Sequence, residues 1–145
     1  MLAGAGRFTS DRFEEMESGI YSPDFSRRTY DELFSKARRI LKRGDPVILD
    51  ASFIKVEERR KAQKLAEESG ADFRVLECRL NEAETRQRLI QRSGERSVSD
   101  GRWQVYEFQK KEFEPLDEVS PEKHFIIDSG RPPRDQITAI IEKLG

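Results

Sequence analysis

The chain has 145 residues, of which 38% are charged and 35% hydrophobic, with 27 basic and 28 acidic side chains and a formal net charge of −1. This length predicts a single domain over 1–145, and the near-neutral charge excludes a general nucleic-acid binder. The sequence has neither a run of about 18 apolar residues nor an apolar leader after Met1, and its single cysteine, Cys78, cannot form an internal disulfide. Together these features predict a cytoplasmic protein with no membrane partner.

The first 25 or so residues are rich in Gly, Ser and Arg without any periodicity, which predicts a loop or a short irregular helix. Apolar residues then recur at helical spacing from Tyr30 to Leu41, and Gly44 is expected to end that helix. An unbroken apolar run at 46–49 follows and is typical of a strand buried on both faces, with Asp50 at its end.

Residues 55–69 are rich in helix formers and stop at Gly70, and 73–78 reads as a second strand with Cys78 in the core. Asn81, followed three residues later by Glu84, predicts a capped helix that runs to about Arg92.

The polar residues 93–99 predict a loop, and 100–113 a further amphipathic helix. The run 124–127 predicts a third strand, ending in Asp128, before a last helix that begins at Pro132 and Pro133. Because helices alternate with apolar strands, the fold class is α/β, with a parallel sheet of about three strands flanked by helices.

Two of these strands end in a carboxylate, Asp50 and Asp128, at the edge where parallel sheets bind their ligands. An apolar strand that ends in Asp is typical of a Walker-B position, which holds Mg²⁺ directly or through water. An Asp that caps the following helix gives the same pattern, so both interpretations remain open.

Arginines surround the polar segment 93–99: they are Arg86, Arg88, Arg92, Arg96 and Arg102. A loop framed by guanidinium groups suits phosphoryl transfer, because these groups neutralise phosphate charge while closure excludes water. The alternative is a solvated helix end that pairs with Glu82, Glu84 and Glu95.

Five segments together resemble the AAA-type small P-loop kinases, a group similar to zeta-toxin, gluconate and shikimate kinases, some of them fused to aminoglycoside-phosphotransferase-like domains. The segments are Tyr-Ser-Pro at 21–23, Arg-Thr-Tyr at 28–30, Val-Ile-Leu-Asp-Ala-Ser-Phe at 47–53, Ser-Asp-Gly-Arg-Trp at 99–103 and Asp-Ser-Gly at 128–130. The likeness covers nearly the whole chain.

The resemblance implies an ATP-dependent kinase that uses Mg²⁺ and phosphorylates a small hydroxyl-bearing substrate. Asp50 would act on Mg²⁺ or on the acceptor hydroxyl, and Arg88 and Arg92 would face the ATP phosphates. Residues 93–101 would form a lid.

The remaining positions carried over from the family concern adenine and the acceptor. The loop beside adenine would be formed by Ser129, Gly130, Arg131 and Pro132. The acceptor would lie near Tyr21, Ser22, Arg28, Ser52, Asp100 and Arg102, the last two in the segment that closes the lid.

The sequence departs from the family in one respect. The family begins with a strand and G-x-x-x-x-G-K-[ST], whose amides and lysine cradle the phosphates. Gly4 and Gly6 are the nearest glycines here, and no Lys-Ser/Thr pair follows them. The chain thus resembles the C-terminal part of such a kinase, so we expect weak or no activity in this form. The alternative is a degenerate or truncated domain that serves in binding or oligomerisation.

In the family, the phosphate-loop strand lies between the strands that match 46–50 and 73–78. Without it, both strands would leave backbone groups unpaired. Three outcomes are then possible: the two strands pair with each other, a second copy of the chain fills the gap, or a separate chain such as a missing N-terminal segment does so. We expect direct pairing or dimerisation.

Overall fold

The protein is described by a computed structural model that covers residues 23–93 and 96–144. Helices and strands follow one another in the predicted order, except that no strand lies between the first two helices of these ranges. The helices are α1 (Pro23–Leu41), α2 (Val56–Glu68), α3 (Glu82–Ser93), α4 (Arg96–Glu112) and α5 (Pro133–Leu144), and the strands are β1 (Val75–Arg79) and β2 (His124–Asp128), with a short 3₁₀ turn at Pro121–Lys123 before β2.

The two strands form a parallel pair, with Val75 opposite His124 and Arg79 opposite Asp128. Parallel strands need a crossover connection, and here α3 and α4 supply it. The α/β class with a parallel sheet is therefore confirmed.

The predicted strand at 46–50 is wrong, because residues 45–50 carry neither strand nor helix. A strand requires a hydrogen-bonded neighbour, and in the described part of the chain β1 pairs with β2 alone. The expected direct pairing of 46–50 with 73–78 is therefore not observed. Ile48, predicted to be buried on a sheet face, is 89% exposed. Dimerisation through this gap stays a prediction.

Three further features of the structure differ from the sequence prediction. Helix α1 begins at Pro23, within the stretch expected to be a loop or a short irregular helix, and proline is accepted in the first turn of a helix. The segment predicted as a loop, 93–99, belongs to α3 at Ser93 and to α4 from Arg96 onward. Cys78 is exposed and not in the core, since no described element covers its side of β1.

The buried core lies chiefly where α1 contacts α2, and it includes Ala37 of α1 and Ala62, Leu65 and Ala66 of α2. Small alanine side chains allow the two helices to approach closely. Both helices end as predicted, at glycines with positive φ: Gly44 at +83° and Gly70 at +65°.

Arg59 of α2 is buried, with 3% of its surface exposed. Its Nε donates to the Glu118 carboxylate, one terminal nitrogen donates to the Phe53 carbonyl at 2.8 Å, and the other donates to the Glu114 and Pro115 carbonyls, each at 2.9 Å. These bonds offset the cost of burying a guanidinium and fasten the start of α2 to the segment after α4. We call this arrangement the Arg59 junction.

Replacing Arg59 with alanine should lower the free energy of unfolding by about 3–5 kcal/mol, because Glu118 is left as a buried charge without a partner. Arg60→Ala is a matched control, since Arg60 is the next residue of the same helix and is exposed. We expect it to change stability by no more than about 0.5 kcal/mol. Urea denaturation measures both, and equal effects of the two substitutions would contradict this account of the junction.

The Arg59 junction should also give a defined acid dependence. Burial raises the pKa of Glu118. The hydrogen bond from Arg59, a backbone hydrogen bond and nearby cations lower it, and their combined effect is larger, so the pKa lies below its ordinary value of 4.5. A lowered folded-state pKa stabilises the fold above the unfolded-state value, and this stabilisation is lost as the pH falls through the folded-state value. The stability difference between wild type and Glu118→Gln should therefore be constant from neutral pH down to about 5 and shrink below about 4.5. If the stability difference between wild type and Glu118→Gln stays unchanged below this pH, the predicted acid dependence of the Arg59 junction is wrong.

Candidate functional site

The predicted catalytic carboxylate, Asp50, lies in an exposed turn formed by residues 50–53, which we call the Asp50 turn. Two helices hold it: α1 provides Tyr30, and α2 begins just after it. The Phe53 amide N–H donates to the phenol oxygen of Tyr30 at 2.9 Å, and that oxygen lies 3.4 Å from the Ser52 hydroxyl. Asp50 and Ser52, predicted to serve catalysis and the acceptor, are thus two residues apart on one exposed turn.

Phe53 adopts a left-handed backbone conformation, with φ +44°. This region costs roughly 1–2 kcal/mol for a residue other than glycine, so surrounding contacts must hold it. The Phe53 ring lies 5.2 Å from the ring of Tyr30 and 6.4 Å from that of Phe34, and its carbonyl accepts from Arg59. The chain therefore changes direction sharply immediately after Asp50 and Ser52.

A second group of predicted residues meets around Arg88 on α3. The start of α3 is capped as the sequence predicts: the Glu84 amide donates to Asn81 Oδ1 at 2.9 Å, and the Asn81 side-chain amide donates to the Glu84 carboxylate. One turn further on, a terminal nitrogen of Arg88 donates to the Ser129 carbonyl at 2.7 Å. The residue expected near the phosphates thus contacts the loop expected beside adenine.

The loop that follows β2 is organised by Asp128. Its carboxylate accepts the Gly130 amide at 2.9 Å, and its backbone carbonyl accepts the Arg131 amide at 3.1 Å. Gln136 of α5 donates to the same carbonyl and accepts the Asp128 amide. These contacts stabilise the turn that follows β2, and the metal-binding and helix-capping roles predicted for Asp128 both stay predictions.

Gly130 allows this loop to lie close to α3. A Cβ at this position would lie 3.0 Å from a Glu84 carboxylate oxygen and 3.1 Å from an Asp128 oxygen. Both contacts are tighter than ordinary van der Waals packing, so any larger residue would require these carboxylates to shift. The Ser129 amide meanwhile donates to the Arg79 carbonyl at 2.7 Å, which ties the loop to the end of β1.

The structure does not bring all the predicted residues together. No hydrogen bond or ion pair between described residues joins the Asp50 turn to the Arg88 group. The remaining arginines and the proline are exposed: Arg28, Arg92, Arg102, Arg131 and Pro132. Tyr21, Ser22 and the Asp100 side chain lie outside the described residues, so their predicted roles stay predictions.

Sequence reasoning missed the residues that hold the two groups in place. Tyr30 was assigned to an apolar helix face and to a segment of the family resemblance, without a role of its own, and Arg59 was not singled out among the charged residues of α2. Gln136 was not considered. The one sequence signal was Tyr30 within the Arg-Thr-Tyr segment, which the family resemblance already included.

A groove of about 390 Å³ between α1 and α2 is lined by Phe34, Arg38, Lys61 and Glu68, among others. Its cations are already engaged, since Arg38 pairs with Glu68 at 2.9 Å and Lys61 with Glu57 at 2.8 Å. None of the predicted site residues lines it, so we do not assign the site there.

One further charged cluster links the strands. His124 Nε2 lies 2.8 Å from the Glu77 carboxylate, which also accepts from Arg79 at 2.8 Å. The hydrogen bond from Arg79 lowers the pKa of Glu77 against the opposing effect of burial, and the bond with His124 adds to the lowering. The contact of His124 with Glu77 thus links β2 to β1.

The described residues offer neither a cluster of metal ligands nor a membrane-spanning helix. No group of three or more His, Cys, Asp or Glu side chains is placed to hold a metal ion. Of the helices in the described ranges, none is both long enough and apolar enough to cross a bilayer.

With this geometry in hand, comparison with known proteins identifies the class. The sequence pattern of the AAA domain family matches residues 5–116, which is more than half of the chain. The chain therefore belongs to this P-loop NTPase-like kinase family, whose members typically bind a nucleotide and Mg²⁺. No curated protein and no solved structure matches the chain significantly.

The contact between Arg88 and Ser129 can be tested by hydrogen exchange. Arg88→Ala should accelerate exchange of the amides of residues 129–131 by about 3- to 10-fold, the equivalent of one net hydrogen bond. Arg86→Ala is the control on the same helix, because the Arg86 guanidinium lies over the Trp103 ring, 5.2 Å from its centroid. Equal acceleration in both variants would show that Arg88 does not hold the loop.

Proposed function

We propose that this chain is the acceptor-binding and lid-bearing part of an ATP-dependent small-molecule phosphotransferase and that, in this form, it binds Mg-ATP weakly and transfers phosphate slowly or not at all. The observation that carries the proposal is the bond between Arg88 and Ser129. It joins the helix assigned to the phosphates with the loop assigned to adenine, two segments 41 residues apart. We further propose that the protein acts in the cytoplasm, in keeping with its single cysteine.

On this proposal the nucleotide side consists of Arg88, Arg92 and the loop 129–132. Arg92 lies one helical turn beyond Arg88, so the two guanidinium groups project from the same face of α3. Arg92 is exposed and available to an anion. Guanidinium groups at this position neutralise charge on phosphate oxygens. The loop would contact adenine through its backbone, which is held in place by the hydrogen bonds that Asp128 accepts from the Gly130 and Arg131 amides.

The acceptor side consists of Asp50 and Ser52. Asp50 is exposed and makes no hydrogen bond or ion pair with any described residue. A single carboxylate of this kind fits Mg²⁺, which keeps several waters and takes its other ligands from substrate phosphates. When bound, Mg-ATP supplies the phosphoryl group, while Asp50 orients the acceptor hydroxyl or accepts its proton. Arg28, Tyr21, Arg102 and Asp100 are proposed to contact the acceptor.

The weakness of the proposed activity follows from the sequence. These 145 residues contain no G-x-x-x-x-G-K-[ST] motif. The backbone amides and lysine of that motif supply both phosphate binding and transition-state stabilisation. Arginines on one helix replace only part of this interaction.

A second candidate function is a binding or oligomerisation module. The observation in its favour is the side of β1 that pairs with no strand among the described residues, together with Ile48 in the apolar run at 46–49, which is 89% exposed. Unpaired strand edges beside exposed apolar residues favour association with another chain.

Calorimetric titration with Mg-ATP distinguishes the weak phosphotransferase from the binding or oligomerisation module. We expect no saturable binding at micromolar nucleotide and a weak signal in the millimolar range, corresponding to about −4 kcal/mol. Asp50→Asn and Arg88→Ala should abolish that signal, whereas Arg43→Ala, an exposed arginine that pairs with Asp45, should leave it unchanged. Micromolar binding would refute the weak-binding claim. No binding at any concentration, combined with a dimer in sedimentation analysis that Ile48→Glu dissociates, would favour the module.

A further inference from the structure

We propose that Tyr30 is a positioning residue for the Asp50 turn: its phenol oxygen holds Phe53 in the left-handed conformation and thereby sets the directions of Asp50 and Ser52. This inference deepens the proposed function and rests on it, since it takes Asp50 as the residue that meets Mg²⁺. Nothing in the family match assigns a role to Tyr30.

The first step of the argument is the Phe53 amide. It is partly buried and donates to the Tyr30 oxygen at 2.9 Å. A partly buried N–H without an acceptor costs about 1–3 kcal/mol. Since the left-handed conformation is already unfavourable for phenylalanine, loss of this acceptor should favour a different backbone arrangement.

The second step concerns the backbone carbonyl of Phe53. The Phe53 carbonyl accepts from Arg59 at 2.8 Å. Side chains from α1 and α2 therefore fix both backbone polar groups of Phe53, one on each side of its α-carbon. Because the peptide plane before Phe53 also carries the Ser52 carbonyl, the orientation of Ser52 follows from the position of the Tyr30 oxygen.

The third step concerns protons. The Tyr30 oxygen accepts the Phe53 N–H through a lone pair and keeps its own proton, which it can direct to the Ser52 oxygen, 3.4 Å away. If the Ser52 oxygen accepts this hydrogen bond from Tyr30, the hydroxyl hydrogen of Ser52 is free to be donated to a ligand. Tyr30 would thus make the exposed Ser52 a donor suited to an anionic or hydroxyl-bearing ligand.

Ring packing alone does not account for the tyrosine. The rings of Tyr30 and Phe34 lie 5.9 Å apart, and those of Tyr30 and Phe53 lie 5.2 Å apart. A phenylalanine at position 30 would make the same ring contacts. Only the oxygen is specific to tyrosine, and both of its contacts are to the Asp50 turn.

The test is Tyr30→Phe, which keeps the ring and removes the oxygen. Tyr106→Phe is the control, because Tyr106 lies on α4, 5.0 Å from the Trp103 ring, and has no proposed part in the site. The ¹⁵N-labelled chain is titrated with Mn²⁺ alone, a paramagnetic substitute for Mg²⁺, and broadening of the amide resonances of residues 51–53 is recorded.

We expect Mn²⁺ to broaden these resonances in the wild-type chain and not in Asp50→Asn. Tyr30→Phe should shift the Phe53 amide resonance and weaken Mn²⁺ binding by about 3- to 10-fold, with resonances far from the turn unchanged. Tyr106→Phe should do neither. Unchanged Phe53 resonance and unchanged Mn²⁺ binding in Tyr30→Phe would overturn the proposal.

The two ideas fail in different ways. If Asp50→Asn binds Mn²⁺ as the wild type does, the proposed role of Asp50 is wrong. The Phe53 resonance then decides on Tyr30 by itself: a shift confined to residues 50–53 supports the positioning role, and no shift refutes it. A change of resonances throughout α1 and α2 would also refute it, since it would show that the oxygen supports the helix pair as a whole.

Discussion

A buried guanidinium must find an oxygen for nearly every N–H it carries, and Arg59 meets this requirement with groups from three separate parts of the chain. It binds the Phe53 carbonyl just before α2, the Glu114 and Pro115 carbonyls after α4, and the Glu118 carboxylate. The segment after α4 is further fixed by a backbone bond from the Glu114 amide to the Ile54 carbonyl at 2.8 Å. The positions of α2, the Asp50 turn and the end of α4 are therefore determined together at one point.

This junction explains how the Asp50 turn keeps a defined shape without belonging to a sheet. A strand at 46–50 would have been fixed by its neighbour's hydrogen bonds, but β1 pairs only with β2 among the described residues. Side chains perform that task for the turn: Tyr30 binds the amide of Phe53, and Arg59 binds its carbonyl. The resulting left-handed conformation costs energy, and the buried contacts of Arg59 and the three aromatic rings offset it.

The success of sequence reasoning depended on how local each signal was. The face of α1 from Tyr30 to Leu41, the cap formed by Asn81 and Glu84, and the apolar run of β2 depend on neighbours a few residues apart, and the structure has all of them. The strand at 46–50 needed a distant partner, so its apolar pattern was insufficient. Residues 93–101 contain a single apolar residue, Val98, which left no helical period to detect.

The candidate site was predictable in part from sequence patterns and in part from the family resemblance. Asp50 and Arg88 stood out by pattern, their detailed roles and the loop 129–132 came from the resemblance, and only the contact between Arg88 and that loop has a direct counterpart in the geometry. The left-handed Phe53 and the burial of Arg59 result from contacts across 22 residues or more, such as those with Tyr30 and Glu118. No pattern in the sequence reports such contacts, because arginine and phenylalanine are ordinary residues for a helix and a loop.

The two halves of the proposed site are connected through α4. Its C-terminal end continues into the Arg59 junction, while its body packs on α3, which carries Arg88. One ion pair between α3 and α4 joins Lys110 to Glu82 at 2.8 Å, and its side chains are 56% and 60% exposed. Exposed ion pairs contribute little to stability, whereas the buried Arg59–Glu118 pair is costly to break. The Lys110–Glu82 pair therefore adds little to the connection between the two halves, and the Arg59 junction is the point at which α4 is held most firmly to the Asp50 turn.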